Sequence, residues 1–260
     1  MVTDLQGRHA LVTGAGGGIG GAIARALSDA GAHVSLAGRR REPLVALALA
    51  LPEGRALAID GFDVTDEALI AGGLKRARAA FGPVDILVNN AGEAPSAPFP
   101  KMDTTLWSRV LSVDLTSVYL VTQAVLADLK AGGAKARVVN VASTAGLRGY
   151  AYVSAYCAAK HGVIGLTRAL ALELASTGVT VNAVCPAFTE TPLLENSIRN
   201  IMAKTGRTEA ETRTELAKGI PLGRLARPGD VASAVTWLVS EAAGFVTGEA
   251  ISISGGEVTR

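Results

Sequence analysis

The sequence predicts a single α/β domain, a doubly wound parallel sheet of about seven strands with helices on both faces. Three observations carry this expectation. Short apolar runs alternate with helical patterns along the chain. The run from Val84 to Asn89 is almost continuously apolar, as a parallel strand covered on both faces requires. No Pro/Ser-rich linker, repeat or low-complexity tract divides the 260 residues. Strict alternation of this kind implies parallel strands joined by right-handed crossovers.

Ala10 to Thr13 is the first strand and stops at a glycine cluster, after which Ile19 to Ala30 has an apolar helical pattern. His33 to Ala37 is the second strand, ending at Gly38-Arg39-Arg40-Arg41, and the helical stretch Leu44 to Leu51 closes at Pro52. Arg55 to Asp63 reads as the third strand and Thr65 to Phe81 as a helix with Thr65 as its N-cap. Strand Val84 to Asn89 precedes a long helix from about Asp103 to Lys130. Strand Arg137 to Ala142 is followed by a helix from about Ser154 to Ser176, and strand Val179 to Val184 ends in Cys-Pro. A polar, helical stretch from Leu193 to Lys218 comes before the last helix, Gly229 to Ser240, and the last strand, Ala250 to Ile253. The segment 192–219 interrupts the last strand–helix unit and is the natural candidate for a substrate lid on a domain spanning 1–260.

Composition narrows the function classes. Hydrophobic residues at 49% with only 18% charged exclude a disordered chain. A net charge of +2 gives no electrostatic case for nucleic acid or anionic lipid. The longest unbroken apolar stretch, Leu44 to Leu51, is eight residues, against about 20 for a membrane span. The start, Met-Val-Thr-Asp-Leu-Gln-Gly, lacks the basic and apolar regions of a signal peptide. Cys157 and Cys185 alone make neither a metal cluster nor a disulfide framework, which suggests the reducing cytoplasm. His9, His33 and His161 have no metal-like spacing, so no metal is expected.

Thr13-Gly14-Ala15-Gly16-Gly17-Gly18-Ile19-Gly20 lies between the first strand and the first helix. Phosphates are held by backbone N–H groups and the positive end of a helix dipole, which side chains would obstruct. Glycines at 14, 18 and 20 meet that need, so this turn is a nucleotide-site candidate rather than an empty loop. Tyr156 and Lys160 are four apart and share one helix face. A nearby ammonium favours the phenolate, which makes them a proton-transfer pair near neutral pH. The pairing alone is common by chance. Ser143, at the carboxyl edge of its strand where open α/β sheets bind ligands, strengthens it.

Taken together these residues resemble the short-chain dehydrogenase/reductase family, in its compact branch of about 250 residues. The matching features are the glycine turn at 13–20, Asp63-Val64, Asn89-Asn90-Ala91-Gly92, Ser143, and Tyr156-x-x-x-Lys160 thirteen residues after Ser143. Pro192 after Thr191, Ile220-Pro221-Leu222-Gly223-Arg224 and the ending Thr247-Gly248…Gly255-Gly256 also match, so the likeness covers nearly the whole chain. The resemblance implies a Rossmann-like fold and hydride exchange between a nicotinamide cofactor and an alcohol or carbonyl carbon. It makes Tyr156 the general acid/base, with Lys160 lowering its pKa and holding the nicotinamide ribose, and Ser143 orienting the substrate oxygen. Gly14, Gly16, Gly17, Gly18, Ile19 and Gly20 would carry the phosphates, and Asp63 and Val64 would meet the adenine. Asn90, Ala91 and Gly92 would line the cofactor trough, with Pro186, Thr189 and Thr191 at its nicotinamide end.

Two departures from the family pattern stand out. Its fourth catalytic position, usually Asn, is Asp114 here, within Val113-Asp114-Leu115. The usual Asn acts through its backbone carbonyl, which Asp retains, so the water relay rather than the assignment is in question. The Pro-Gly after strand six is Pro186-Ala187, whose turn must tolerate a Cβ.

The cofactor reading turns on strand two. An acidic residue at its end would bind the ribose hydroxyls of NAD(H) and repel a 2′-phosphate. Here Gly38 is followed by Arg39 and Arg40, which can pair with that phosphate. Gly17, where many NADP(H)-preferring relatives carry a basic residue, points the other way. NADP(H) is favoured, with NAD(H) as the alternative, and a solvated helix start is the competing reading of the Arg39–Arg41 run. Cys157, Cys185, His161, Trp107 and Trp237 are read as packing residues.

The apolar members of the lid, Leu193, Leu194, Ile198, Ile201 and Met202, fall at helical spacing. They either cover an apolar pocket or dock the lid on the sheet. Ala94, Leu147, Tyr150, Tyr152, Ala187 and Phe188 are the candidate substrate lining. With lid bases interleaved with acids, an uncharged reacting end with an apolar or extended tail is expected, first a 3-oxoacyl/3-hydroxyacyl thioester, then a cyclic or aromatic ketone, and sugars last. Small residues on the Tyr156 helix (Ala155, Ala158, Ala159, Gly162, Gly165) and an apolar preceding helix suggest a homotetramer, in line with the family. The rivals are a non-catalytic dinucleotide-binding regulatory protein, disfavoured by the intact Ser143, Tyr156 and Lys160, and a nucleotide-sugar epimerase or dehydratase, which is usually longer.

Overall fold

The computed structural model describes residues 4–259, so the signal-peptide reading falls partly on Met1–Thr3, outside the described residues. Seven parallel strands form one sheet in the order β3-β2-β1-β4-β5-β6-β7: β1 His9–Thr13, β2 His33–Ala37, β3 Ala56–Ile59, β4 Ile86–Asn89, β5 Arg137–Val141, β6 Thr180–Pro186 and β7 Ala250–Ile253. The helices are α1 Gly18–Asp29, α2 Arg41–Leu49, α3 Glu67–Phe81, α4 Thr104–Leu111, α5 Ser117–Gly132, α6 Ser154–Leu174, α7 Pro192–Thr205, α8 Glu209–Ala217 and α9 Pro228–Leu238. Strand order reverses between β1 and β4, and the carboxyl ends there open the crevice where such sheets take ligands.

Two apolar layers sandwich the sheet. One packs Ile23, Leu27, Val231, Val235 and Leu238 of α1 and α9 against Val12, Val34, Val88 and Val184. The other packs Ile70, Leu74, Val121, Val125 and Leu129 of α3 and α5 against Leu11, Leu87, Val138 and Val181. Buried strands stay apolar because their backbone groups are satisfied by neighbouring strands. One polar chain crosses this core: Asn89 Nδ2 donates to Thr122 Oγ1 (3.0 Å) and Asn140 Oδ1 (2.9 Å), and Asn140 Nδ2 donates to Thr167 Oγ1 (2.9 Å). It fixes α5 and α6 in register with β4 and β5, since each unmade bond would leave a buried amide unpaired.

Several boundaries depart from the sequence reading. Strand three stops at Ile59, because the chain turns at Gly61 and buries Phe62. The N-cap of α3 is Asp66, which accepts from the amides of Ala68 and Leu69, while Thr65 donates its hydroxyl to Asp63 instead (2.7 Å). The helix expected over Asp103 to Lys130 begins with Asp103 capping Leu106 (2.7 Å) and is broken by a wide π-turn, Ser112–Thr116. The segment 193–218 is two helices, separated at Gly206 (φ 71°) and restarted by a Thr208–Glu211 capping box. Ala187 accommodates its Cβ without a positive φ: among the described non-glycine residues only Tyr152 has one (69°).

The packing readings hold unevenly. Cys185 is buried and Cys157 half-buried, but Trp107 and Trp237 are 36% and 43% exposed, contrary to the core assignment. Val110 in α4, and Val231 and Val235 in α9, occupy the inward positions instead. His161 is also exposed, its Nδ1 bonded to the Cys157 carbonyl one turn earlier (2.9 Å). The helical run from Thr104 to Lys135 is long and apolar enough, by length and composition, to cross a membrane, although polar residues interrupt its apolar stretches. Here Val118, Val121, Val125 and Leu129 of that run pack into the body of the protein.

Candidate active site

The loops leaving the carboxyl ends of β1 to β6 enclose one cleft of about 1000 Å³. Its first wall is the glycine turn. Helix α1 starts at Gly18 with no side-chain cap and no acidic residue in its first turn, so its leading amides and positive dipole end are available to an anion. Gly14, Gly16, Gly17, Gly18 and Ile19 line the cleft. Gly20 does not: a Cβ there would lie 2.4 Å from both Asn90 Nδ2 and the Gly14 carbonyl, so this glycine closes the turn onto the next loop instead. Asn90 Nδ2 donates to the carbonyls of Thr13 (2.9 Å) and Gly14 (3.2 Å), and Thr13 Oγ1 accepts from the amides of Asn90 and Ala91 (3.0 and 3.1 Å). The ends of β1 and β4 are thereby locked together at the crevice.

Arg39, Arg40, Asp63 and Val64 line one end of the cleft. Arg41 pairs with Asp60 (3.5 Å), whereas Arg39 and Arg40 make no ion pair among the described residues. Hydrogen bonds from Thr65 hold the Asp63 carboxyl below its ordinary value. Ala91, Gly92, Pro186, Thr189 and Thr191 continue the wall. Thr191 also caps α7, accepting from the Leu194 amide (3.3 Å), so the start of the 192–219 segment is anchored at the cleft.

Ser143, Tyr156, Lys160 and Asp114 converge at the centre. Ser143 follows β5, accepts from the Ala145 amide (3.1 Å), and reaches the Tyr156 hydroxyl with its own. Lys160 Nζ lies 5.5 Å from the centroid of the Tyr156 ring and donates to the Val141 carbonyl (3.1 Å). The Asp114 side chain, on the π-turn and 0% exposed, stands 3.3 Å from Lys160 Nζ through Oδ1 and accepts from the Glu93 amide. Glu93 in turn pairs with Arg109 (2.7 Å).

Electrostatics at this centre differ from the sequence expectation. Lys160 does act to lower Tyr156, but burial outweighs it and the Asp114 carboxylate adds to burial, so the phenol stands above its ordinary value. Burial also pushes the Asp114 carboxyl up to about 6, against the pull of Lys160. For Lys160 burial works downward, yet the attraction of Asp114 and Tyr156 prevails and raises it.

Of the candidate substrate lining, Ala94, Tyr150, Tyr152, Ala187 and Phe188 line the cleft. Leu147 is not there: it packs inward against the cluster of Val118, Val163 and Ile164. Tyr150 donates to Glu257 Oε1 (2.6 Å), accepts from Thr144 (2.8 Å) and meets Phe188 edge-on at 6.3 Å. Burial and the bond to Glu257 push its phenol up to about 12. The apolar stripe of α7 is divided between the two expected roles. Leu193, Leu194 and Ile201 line the cleft, whereas Ile198 and Met202 dock with Ile220 and Leu225. Sequence reading missed Glu93, Ser96, Ala97 and Pro98 as lining, because the loop after Gly92 carries no motif, and missed Asn200 because a polar helix position reads as solvent-facing; of the interleaved bases of 192–219, Lys204 lines the cleft.

A family model described as short chain dehydrogenase matches residues 8–201. The chain is 43% identical over 252 residues to the cis-4-hydroxycyclohexanecarboxylate dehydrogenase of Sinomonas cyclohexanicum, covering 96% of each. It is 38% identical over 254 residues to the 3-oxoacyl-acyl-carrier-protein reductase FabG of Vibrio harveyi, covering 97% of this chain and 98% of that one. Among solved structures, a variant of the actinorhodin polyketide ketoreductase with NADPH superposes with a TM-score of 0.90 at 37% identity, covering 99% of both chains.

Proposed function

The chain belongs to the short-chain dehydrogenase family and is an NAD(P)-dependent oxidoreductase, and on that premise we propose that it reduces the 3-oxo group of an acyl thioester at the expense of NADPH. The observation that carries the reading is the convergence of Ser143, Tyr156 and Lys160 in one cleft with the uncapped start of α1. A dinucleotide fits these residues: open amides for its pyrophosphate, the Asp63–Val64 wall for its adenine, and Arg39 and Arg40, which form no ion pair among the described residues, for a 2′-phosphate. When bound, the cofactor supplies the hydride. Ser143 and Tyr156 hold the substrate oxygen by hydrogen bonds, and Tyr156 Oη gives it a proton as the carbonyl is reduced. Lys160 orients the ribose and compensates the phenolate left behind.

The thioester reading is supported by apolar walls at Ala94, Phe188, Leu193 and Ile201 and by the FabG and polyketide ketoreductase relatives. Of the lid bases, Lys204 lines the cleft and is placed to meet an anionic group on an extended substrate. A second reading, a cyclic alcohol or ketone, is favoured by the cyclohexane-carboxylate relative. We also propose a single domain with a lid at 192–219, a cytoplasmic location and a homotetramer. The tetramer draws on Trp107, Tyr119 and Leu172, exposed on α4, α5 and α6. The deciding experiment compares kcat/KM for acetoacetyl-CoA, 4-oxocyclohexanecarboxylate and a ketose with NADPH and NADH. Preference for the thioester with NADPH is expected. Preference for the cyclic ketone moves the assignment to the second reading, and turnover of none by fresh holoenzyme counts against both. Light scattering at micromolar concentration tests the tetramer, which a monomeric mass would overturn.

A further inference from the structure

Asp114 places a carboxylate where the family pattern has a neutral amide, and the structure shows what it does there. The π-turn carries the side chain inward, Oδ1 reaches Lys160 Nζ at 3.3 Å, and the Glu93 amide donates to the same oxygen at 3.2 Å. The approach is tight: a Cβ on Gly92 would lie 2.6 Å from Oδ1. Both partners are almost wholly buried, at 0% and 4% exposure, so little solvent screens their interaction. Tyr156, whose ring centroid lies 5.5 Å from the ammonium, therefore faces an ion pair and not a lone cation. The other polar groups around this pair are few. Ser143 bonds Tyr156, the Cys157 and Cys185 thiols approach Tyr156 and Lys160, and Glu93 is itself paired with Arg109.

We propose that Asp114 is a positioning residue that neutralises Lys160 and so keeps Tyr156 in its phenol form, as proton donor, well into the alkaline range. This rests on the reading of Tyr156 as the group that delivers the proton. In the reduction the Tyr156 O–H bond breaks, the proton passes to the carbonyl oxygen, and a phenolate remains. With its counter-charge shared, the Lys160 ammonium compensates that phenolate less than it would beside an amide. The upward direction for Tyr156, with burial first and Asp114 adding to it, agrees with the geometry.

The test is an alkaline titration followed by tyrosinate ultraviolet absorbance, with the Tyr156→Phe protein subtracted so that Tyr119, Tyr150 and Tyr152 cancel. It is run in the natural sequence and with Asp114→Asn, each with its own Tyr156→Phe control. Asp114→Asn should move the Tyr156 midpoint down by about one pH unit or more, a tenfold rise in phenolate fraction at a given pH. Asp114→Ala removes the same charge but loses the acceptor for the Glu93 amide, so a shift common to both variants is electrostatic. A midpoint that stays or rises with Asp114→Asn, or moves only with Asp114→Ala, overturns the proposal. The pH profile of alcohol oxidation should move by the same amount. Because the titration needs no turnover, it separates this proposal from the functional reading: an active Tyr156→Phe enzyme would sink the latter whatever the midpoint does.

Discussion

Replacing Lys160 by methionine should make the stability of this protein depend on pH in a way the natural sequence does not. The side chain of Asp114 is fully buried, and Lys160 is its counter-charge at 3.3 Å. Its carboxyl is raised from 3.8 to about 6 even with that partner present, a penalty of about 3 kcal/mol at neutral pH. Because the folded value lies above the unfolded one, this group favours the native state in acid, and that advantage is lost as pH rises through the folded value. Lys160→Met removes the two contributions that pull Asp114 down, so its folded value climbs further. Near pH ~5 the carboxyl is largely protonated in both proteins, at a cost of under about 2 kcal/mol in each. Near pH ~8 the natural penalty has levelled off, while the variant's keeps growing by up to about 1.4 kcal/mol per pH unit and exceeds the natural one by about 2 kcal/mol. The difference of about 2 kcal/mol amounts to a Tm loss of about 4–8 °C for a chain of this size. Thermal unfolding of both proteins across this range is the assay. A Tm loss that is the same at both ends, or is larger in acid, would refute the reasoning, as would failure of added Asp114→Asn to restore most of the alkaline loss.

Tyr156→Phe should lower turnover by several orders of magnitude while NADPH binding, followed by nicotinamide fluorescence, stays within about threefold, since the donor is lost and the trough remains. Arg39→Ala should weaken NADPH by about tenfold or more and leave NADH nearly unchanged, as expected for one charge-assisted bond to a 2′-phosphate; an equal effect on both cofactors would remove Arg39 from that role. Gly20→Ala should abolish binding of either cofactor and lower the Tm, because its Cβ would sit 2.4 Å from Asn90 Nδ2 and the Gly14 carbonyl. Calorimetric titration with NADPH checks this, and unchanged affinity would show that the turn can move.

The strand–helix alternation was open to sequence reading because each element carries its own period and punctuation. The last strand, Ala250 to Ile253, is bounded as expected, and Asp103 begins its helix as expected. What stayed hidden depended on competition between neighbouring groups. Thr65 and Asp66 are equally good caps, and the choice falls to Asp66 only because Asp63 takes the Thr65 hydroxyl. Leu147 and Phe188 are alike as apolar loop residues, and only the path of the chain sends one inward and the other to the cleft. The direction of Asp114 was equally unreadable. A π-turn has no sequence signature, and it is this turn that carries the carboxylate paired with Lys160.

The proposed reacting groups and the proposed substrate walls are held by different parts of the fold. Tyr156 and Lys160 sit on α6, which is tied to β4 and β5 through the buried chain Asn89–Asn140–Thr167. Leu193 and Ile201 sit on α7, which docks through its own small cluster of Leu194, Ile198, Ile220 and Leu225. The next helix, α8, is fastened to α7 by the Arg213–Glu195 pair (2.5 Å), and Thr212 is the one residue it buries. A cluster of this size is expected to open at lower free energy than the sheet core does, so, on the proposed reading of 192–219 as a lid, that segment would part from the cleft while Tyr156 stays fixed. Rigid chemistry beneath a separately anchored wall also lets substitutions in 192–219 change which carbonyl is accepted without disturbing how its proton is delivered. Such a division would let one arrangement of reacting groups serve different carbonyl substrates, and the chain's likeness both to an acyl-carrier-protein reductase and to a cyclohexane-carboxylate dehydrogenase is in keeping with it.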